Sequence, residues 1–533
     1  MLSKFKCDRS PYSSDNADLT PPCLPIIERE GQGERLTKTI FNKSKFLNKS
    51  FGLLLLFISA QLLVFKPLAT KAQEKQPAQI ENICPAQLAG KIDAIANRQQ
   101  FSRSRWGILI QTLAANNTLY SRDANQFFIP ASNAKLLTTA AALKHLGSQF
   151  RIRTSVYNNG DGSLRVIGRG DPSLTDAQLK NLALQLRSKQ ITQVRQLIAD
   201  DNYFQGAALN PTWEHEDTYF YYGTQINSLI LNQNAIALKL LPQGAGQPIK
   251  VSWDDPIAYS QWQVENEALT GATAQASGVE VTGTLGKPVL RVRGVLPVDG
   301  KPQTEAIAVL DPAQYFLQNF RRALIIQGIT VAQTLVASNP QSSTEEVAFV
   351  ESPTLADLVM ETNQNSNNLY AEALLRTVGV AKQDLAGKEQ NSAQQGLAIV
   401  KQTLTELGVN PEGYVIADGS GLSRHNLVSP ETLVQTLKAM AQTKEASLYK
   451  ASLPVAGVSG TLKNRFRDTP AQGIVHAKTG TMTGVSSIAG YMDAPGYQPL
   501  VFTIIVNQSD KSVATVRQAM DEMVVVLTRL RRC

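Results

Sequence analysis

Three short polar motifs, Ser132-Asn133-Ala134-Lys135, Ser366-Asn367-Asn368 and Lys478-Thr479-Gly480-Thr481, follow one another along 533 residues, and the first two serines stand 234 residues apart. If the three form one site, the chain must leave that site after the first motif and return to it before the second. The expected layout is therefore an α+β catalytic domain split in sequence, residues 80–152 joined in space to 346–533, with 153–345 inserted between. Each motif supplies a part that acyl transfer needs: a hydroxyl that attacks, an amine that takes its proton, a polar clamp, and a strand edge that polarises a carbonyl.

Taken singly, such motifs carry little. S-x-x-K also occurs as Ser3 to Lys6 and Ser447 to Lys450, and S-x-N as Ser14 to Asn16. Order and context choose Ser132. Ser3 and Ser14 lie in a polar leader, and Ser447 comes after the S-x-N. Pro130 discourages helix before Ser132, and the run Leu136 to Leu146 reads as a buried helix closed by Gly147. On that helix Ser132 and Lys135 share a face. A lysine with its ordinary pKa of about 10.4 is a poor base at neutral pH, so Lys135 should be desolvated and pushed down by a second cation. Lys478 is the candidate for that cation. The bland reading, a helix cap followed by a solvated lysine, holds for most isolated S-x-x-K sequences.

Ser366-Asn367-Asn368 falls between the apolar-periodic segments Leu355 to Val359 and Leu369 to Leu375, which places it in a turn joining two helices. Lys478-Thr479-Gly480-Thr481 leads into Met482 to Tyr491 and then Leu500 to Val506, two segments of strand formers separated by Pro495-Gly496. This reads as an antiparallel hairpin. Gly480 on its edge permits the close approach of a peptide that adds to the sheet by backbone hydrogen bonds.

With these residues in view the chain resembles the low-molecular-mass class C penicillin-binding proteins (peptidase family S13), the D-alanyl-D-alanine carboxypeptidases and endopeptidases of bacterial peptidoglycan. The resemblance extends through Phe128 to Leu136, Gly168-Arg169-Gly170-Asp171-Pro172-Ser173-Leu174, Asp418-Gly419-Ser420-Gly421-Leu422-Ser423-Arg424, Leu453 to Gly457 and Gly460-Thr461-Leu462, from about residue 80 to the C-terminus. It implies a penicillin-binding protein/β-lactamase-like transpeptidase fold, an antiparallel sheet covered by helices and interrupted by inserted β-rich accessory domains. It also implies roles. Ser132 attacks the carbonyl of the penultimate D-alanine, Lys135 is the general base, Ser366 relays the proton to the leaving D-alanine, and Asn368 holds the substrate amide. Lys478 supplies positive charge, Thr479 and Thr481 lie near the terminal carboxylate beside Gly480, and the N–H groups of Ser132 and Thr481 form the oxyanion hole. The implied partners are peptidoglycan peptides ending in D-Ala-D-Ala and β-lactam antibiotics, with no cofactor and no metal.

Other features bear on the compartment and on rival functions. From Arg153 to about Thr344 short strand-like runs such as Leu164 to Ile167, Val279 to Thr282 and Val289 to Arg293 alternate with Gly, Asn and Pro turns, which reads as one or two β-rich domains. Lys43, Lys45 and Lys49 precede the apolar run Phe51 to Phe65, and small residues follow at Thr70 and Ala72: an export signal, with the favoured cleavage site after Ala72, so that the protein is expected in the periplasm or cell envelope with at most peripheral membrane contact. Residues 1–35 read either as a polar extension or as a start assigned too far upstream. The leader, residues 1–72, holds 11 Lys/Arg and 6 Asp/Glu, so the net charge of +8 drops to +3 without it and gives no reason to invoke nucleic acid. His145, His215, His425 and His476 are scattered without zinc-ligand spacing. Cys84 and Cys533 are the two cysteines beyond the leader. In folds of the resembled family the terminal helices that carry them lie side by side, so a disulfide and two free thiols are both open. A serine β-lactamase, an esterase of the same fold and a non-catalytic wall-binding homologue are the alternatives. The long gap between the first two motifs, and S-x-N where a β-lactamase has Y-x-N, argue against the first.

Overall fold

The computed structural model describes residues 82–115, 117–272, 278–337, 345–381 and 391–533. The expected export signal and the rest of the leader lie outside the described residues.

The site is organised by a five-stranded antiparallel sheet in the order Val475–Met482, Val485–Met492, Leu500–Asn507, Arg105–Thr112, Thr118–Arg122. Strands from the two ends of the chain meet in its middle, where Ile108 pairs with Ile504. Side chains alternate between two cores, as a pleated strand requires: Ile108, Ile110, Ile504 and Val506 face one layer, and Leu109, Val501 and Ile505 the other. Because both faces are covered, every residue of Leu500–Asn507 is buried. That is why the segment reads as a continuous apolar run and not as an alternation.

The first layer is built by the terminal helices. Pro85–Ala96 buries Leu88, Ile92 and Ile95, and Val513–Leu527 buries Val516, Met520, Met523 and Leu527. Their outer ends are tied by a Cys84–Cys533 disulfide with a Cα–Cα distance of 5.7 Å, and Ile83 exchanges backbone hydrogen bonds with Arg529 and Arg531, each 3.0 Å. The second layer contains Lys135–Leu146, Leu355–Gln364, Asn368–Ala381, Ser392–Glu406 and Pro430–Ala441. Lys135–Leu146 is buried along its length from Lys135 to Leu143, its Ala140-Ala141-Ala142 run allowing neighbours to approach closely, and it ends at Gly147 with φ +77°.

Between Ile152 and Ser352 the chain makes an excursion that leaves and returns at one place. Ser352 N donates to Ile152 O at 2.8 Å, and Ile152 N donates to Ser352 Oγ at 2.9 Å. Beyond this neck a mixed five-stranded sheet runs in the order Thr330–Ala337, Gln193–Asp200, Ser163–Ile167, Arg153–Asn158, Glu345–Glu351. Strands 235–241, 250–253 and 303–308 form a second sheet, and those between 263 and 297 a third. Strand signals dominate the sequence of this region, but it also holds two helices, Asp176–Ser188 and Pro312–Ile326. Leu179, Leu182 and Leu186 of the one and Phe316, Phe320 and Leu324 of the other join a single core with the strands. They lie on helical spacing in stretches whose polar faces are rich in Asn and Gln, which mimics turn composition.

Candidate active site

Ser132 sits in a tight 3-10 turn, Ala131–Ala134, and the α-helix proper starts at Lys135. The serine therefore precedes the regular helix, which refines the expectation that it opens it. Ala131 has φ +47°, a left-handed conformation that costs a non-glycine residue about 1 kcal/mol or more. The turn is held from outside: Asn507 Nδ2 donates to Ile129 O at 3.1 Å, and Ser487 Oγ donates to Pro130 O at 2.6 Å.

Lys135 is completely buried, and its Nζ lies 3.0 Å from Ser132 Oγ, 2.6 Å from Asn368 Oδ1 and 2.6 Å from the Ser420 carbonyl. Burial pushes its amine down to about 7, while the charges of Asp418 and Glu372 pull the other way. Burial thus favours the neutral amine next to the hydroxyl. Lys478 is also fully buried; its Nζ donates to Ser366 Oγ at 2.8 Å and to Thr479 O at 2.8 Å. Burial, and then the charge of Lys135, hold Lys478 well below the usual lysine range. The expected push of Lys478 on Lys135 is not among the causes at Lys135, which is lowered by desolvation alone; the charge effect runs the other way, from Lys135 onto Lys478, where it comes second to desolvation.

Ser366 lies where expected, between the helices Leu355–Gln364 and Asn368–Ala381, with φ +57°. That is the post-helix position where glycine is usual. Asn368 starts the second helix; its Nδ2 donates to Tyr222 O at 2.8 Å, a residue from the far side of the neck. Thr479 shares a 2.7 Å hydroxyl contact with Thr461, and Thr481, exposed at the strand end, accepts from Arg517 Nη2 at 3.1 Å. A Cβ on Gly480 would come within 2.7 Å of Pro130 O and 2.9 Å of Ser132 N. The absent side chain brings the Lys478 strand against the Ser132 amide.

Two hydroxyl–amine pairs, Ser132–Lys135 and Ser366–Lys478, lie beside the edge strand Val475–Met482, and similarity decides what kind of site this is. The profile of the D-Ala-D-Ala carboxypeptidase 3 (S13) family matches residues 88–530. The chain belongs to that family. This S13 carboxypeptidase is 34% identical over 444 residues to the D-alanyl-D-alanine carboxypeptidase of Actinomadura sp. (strain R39), covering 79% of this chain and 81% of the relative. It is 27% identical over 417 residues to the D-alanyl-D-alanine carboxypeptidase DacB of Haemophilus influenzae, covering 76% and 85%. Among solved structures it resembles penicillin binding protein 4 of H. influenzae, with a TM-score of 0.71, 26% identity, and 81% of this chain and 97% of the other covered. Its fold is that of the penicillin-binding proteins.

The S13 site also includes residues that have no role in the sequence reading above. Glu372 is fully buried one turn into the Asn368 helix, and its Oε1 accepts from Gly419 N at 2.9 Å and Ser420 N at 2.8 Å. Burial and the charge of Asp418 push this carboxyl up to about 7. Asp418 binds the same loop internally, accepting from Gly421 N and Ser423 N at 2.7 Å each and from Trp213 Nε1 at 2.9 Å. The two acids thus fix the Ser420 carbonyl on which Lys135 rests. Asp418-Gly419-Ser420-Gly421 is visible as a polar, glycine-rich run, but nothing local points it at Lys135. Among the described residues no group of His, Cys, Asp and Glu could hold a metal ion, and no helix is long and apolar enough to cross a membrane.

Proposed function

We propose that this carboxypeptidase works through an acyl-enzyme on Ser132. Lys135 takes the Ser132 proton as Oγ attacks the carbonyl of the penultimate D-alanine. The oxyanion is held by the N–H groups of Ser132 and Thr481, and Ser366, backed by Lys478, passes a proton to the nitrogen of the leaving D-alanine. Water then attacks the ester, its proton restoring the Ser366–Lys478 pair that supplied the leaving amine, and Ser132 Oγ recovers its proton from Lys135. Asn368, Thr479 and Gly480 orient the peptide along the Lys478 strand. The observation that carries this reading is the 3.0 Å separation of Lys135 Nζ from Ser132 Oγ, with the amine buried and lowered to about 7.

The same chemistry extends to two further substrates. A cross-link whose scissile bond follows a D-alanine has the same acyl half as the terminal dipeptide, so endopeptidase activity belongs to the proposal. A β-lactam carries a strained amide in a similar shape, and the penicillin binding protein 4 relative is known in complex with a β-lactam. Acylation of Ser132 by penicillins is accordingly part of the reading. Such substrates place the protein in the cell envelope after export directed by the segment 51–65, with residues 153–345 as an accessory insertion.

The test is to incubate the protein and its Ser132→Ala variant with fluorescent penicillin, a D-Ala-D-Ala peptide and cross-linked muropeptides. The wild type should label, release D-alanine and cleave cross-links, and the variant should lose all three by at least about 10³-fold. Label that persists on Ser132→Ala, or maps to Ser447, would overturn the assignment. Labelled protein that releases no D-alanine would point to a β-lactamase or a silent homologue.

A further inference from the structure

Two left-handed stretches of backbone meet where the excursion touches the helices around Ser366. One is Ser366 itself, at φ +57°. The other is Asn232-Gln233-Asn234 in the excursion, with φ of +49°, +57° and +50°. Side chains with a Cβ resist this region, and asparagine enters it most readily because its short amide finds local partners. Both asparagines do so. Asn232 Nδ2 donates to Asp176 Oδ2 and to Tyr315 OH at 3.2 Å each, and the buried Asn234 donates from Nδ2 to Gln225 O and Asn227 Oδ1 at 2.9 Å each. They root the turn in the excursion from both sides. Gln233 reaches out of it: its Oε1 accepts from Asn367 Nδ2 at 2.8 Å. Asn367 stands between Ser366 and Asn368. Its Oδ1 accepts from Tyr370 N at 3.3 Å, in the first turn of the helix that follows, and its Nδ2 also donates to Glu361 Oε1 at 3.3 Å, on the helix that precedes.

We propose that Gln233 is a positioning residue for the reaction: held in its left-handed turn by Asn232 and Asn234, it fixes Asn367 and, through Asn367, the Ser366 hydroxyl beside Lys478. The inference deepens the acyl-transfer reading given above, in which Ser366 passes a proton to the leaving nitrogen, and rests on it. A serine in a left-handed turn stays there only when its surroundings over-determine it, and a hydroxyl that must meet both an amine and a leaving nitrogen tolerates little displacement. Glycine would occupy position 233 without strain. The turn keeps a glutamine instead, and the contact that this side chain makes is the one to Asn367.

The experiment compares kcat/KM for an acyl-D-Ala-D-Ala peptide with that for the matching acyl-D-alanyl thiolester, in the wild type, Gln233→Gly, Gln233→Glu and Ser366→Ala. Both substrates acylate Ser132 with the same group, but the amide nitrogen needs a proton to leave and the thiolate does not. Their ratio within one protein therefore cancels partial unfolding and general damage, and reads the delivery of that proton. Gln233→Gly removes the side chain while relaxing the backbone, so a merely structural turn would leave the ratio unchanged. The expected result is a folded Gln233→Gly whose amide-to-thiolester ratio falls about 10-fold through the amide, with Gln233→Glu, which keeps an acceptor for Asn367, recovering part of it. A lowered ratio in Ser366→Ala with an unchanged one in Gln233→Gly would overturn the inference while leaving the acyl-transfer reading intact. An unchanged ratio in Ser366→Ala would overturn the leaving-group role of Ser366, and the inference with it.

Discussion

Lys478 Nζ hydrogen-bonds Ser366 Oγ across 2.8 Å, joining a strand to a helix–helix turn 112 residues earlier in the chain. Lys135 Nζ lies beside Ser132 Oγ and Lys478 Nζ beside Ser366 Oγ, so each amine has its own hydroxyl. Under the proposed acyl-transfer reading the first pair serves the nucleophile and the second the leaving group. Burial lowers both amines, and the charge of Lys135 lowers Lys478 further.

That division predicts unequal lysines. Lys135→Arg keeps a charge but provides no neutral amine, so penicillin acylation should fall about 10³-fold. Lys478→Arg should lose less, because it retains a donor for Ser366. Stopped-flow acylation rates of the two variants check this, and equal small losses would contradict it.

The pH profile follows from the same amine. The base form of Lys135 increases as pH rises through its value of about 7. The acylation rate should therefore climb about tenfold per unit below that point and level off above it. Rates that fall as pH rises from 5 to 8 would exclude Lys135 as the base.

Gly480 should accept no side chain. The Cβ of an alanine would press on Pro130 O and Ser132 N, backbone atoms that cannot swing aside as a side chain does. Gly480→Ala should remain folded by circular dichroism yet lose about 10²-fold in kcat/KM, the scale of an ångström-sized misplacement. Near-normal turnover would show that the strand and the nucleophile turn move apart freely.

Glu372 should separate stability from chemistry. Glu372→Ala strands two buried N–H groups, Gly419 and Ser420, and should lower unfolding free energy by about 2–5 kcal/mol in urea titration. Glu372→Gln keeps an acceptor oxygen and should retain most of both stability and rate.

The Cys84–Cys533 bridge links residues 449 apart. Reduction, or Cys533→Ser, should cost about 2–4 kcal/mol. Calorimetry with and without reductant reads it, alongside thiol titration of the denatured, non-reduced protein.

Much of this site's geometry could be read from sequence because its motifs are partly local. Ser132 and Lys135 are held by a helical turn, and Lys478 to Thr481 by a strand, so their spacing is fixed before the fold is known. Glu372 is different. In sequence it is one polar residue within Leu369 to Leu375, and its role depends on a loop 47 residues away, an encounter that no period encodes. Gln233 and Tyr222 escaped notice for the same reason. The helices Asp176–Ser188 and Pro312–Ile326 were hidden by composition, and the hydroxyl–amine contact at Ser366 by the neutral look of an S-x-N turn.

The neck at Ile152 and Ser352 is narrow, but beyond it the chain reaches back: the carbonyl of Tyr222 takes up the amide of Asn368, and Trp213 Nε1 donates to Asp418. Removing residues 153–345 would cost Asn368 and the Asp418 loop a partner each, so the excursion acts as a structural part of the site and not as a detachable appendage.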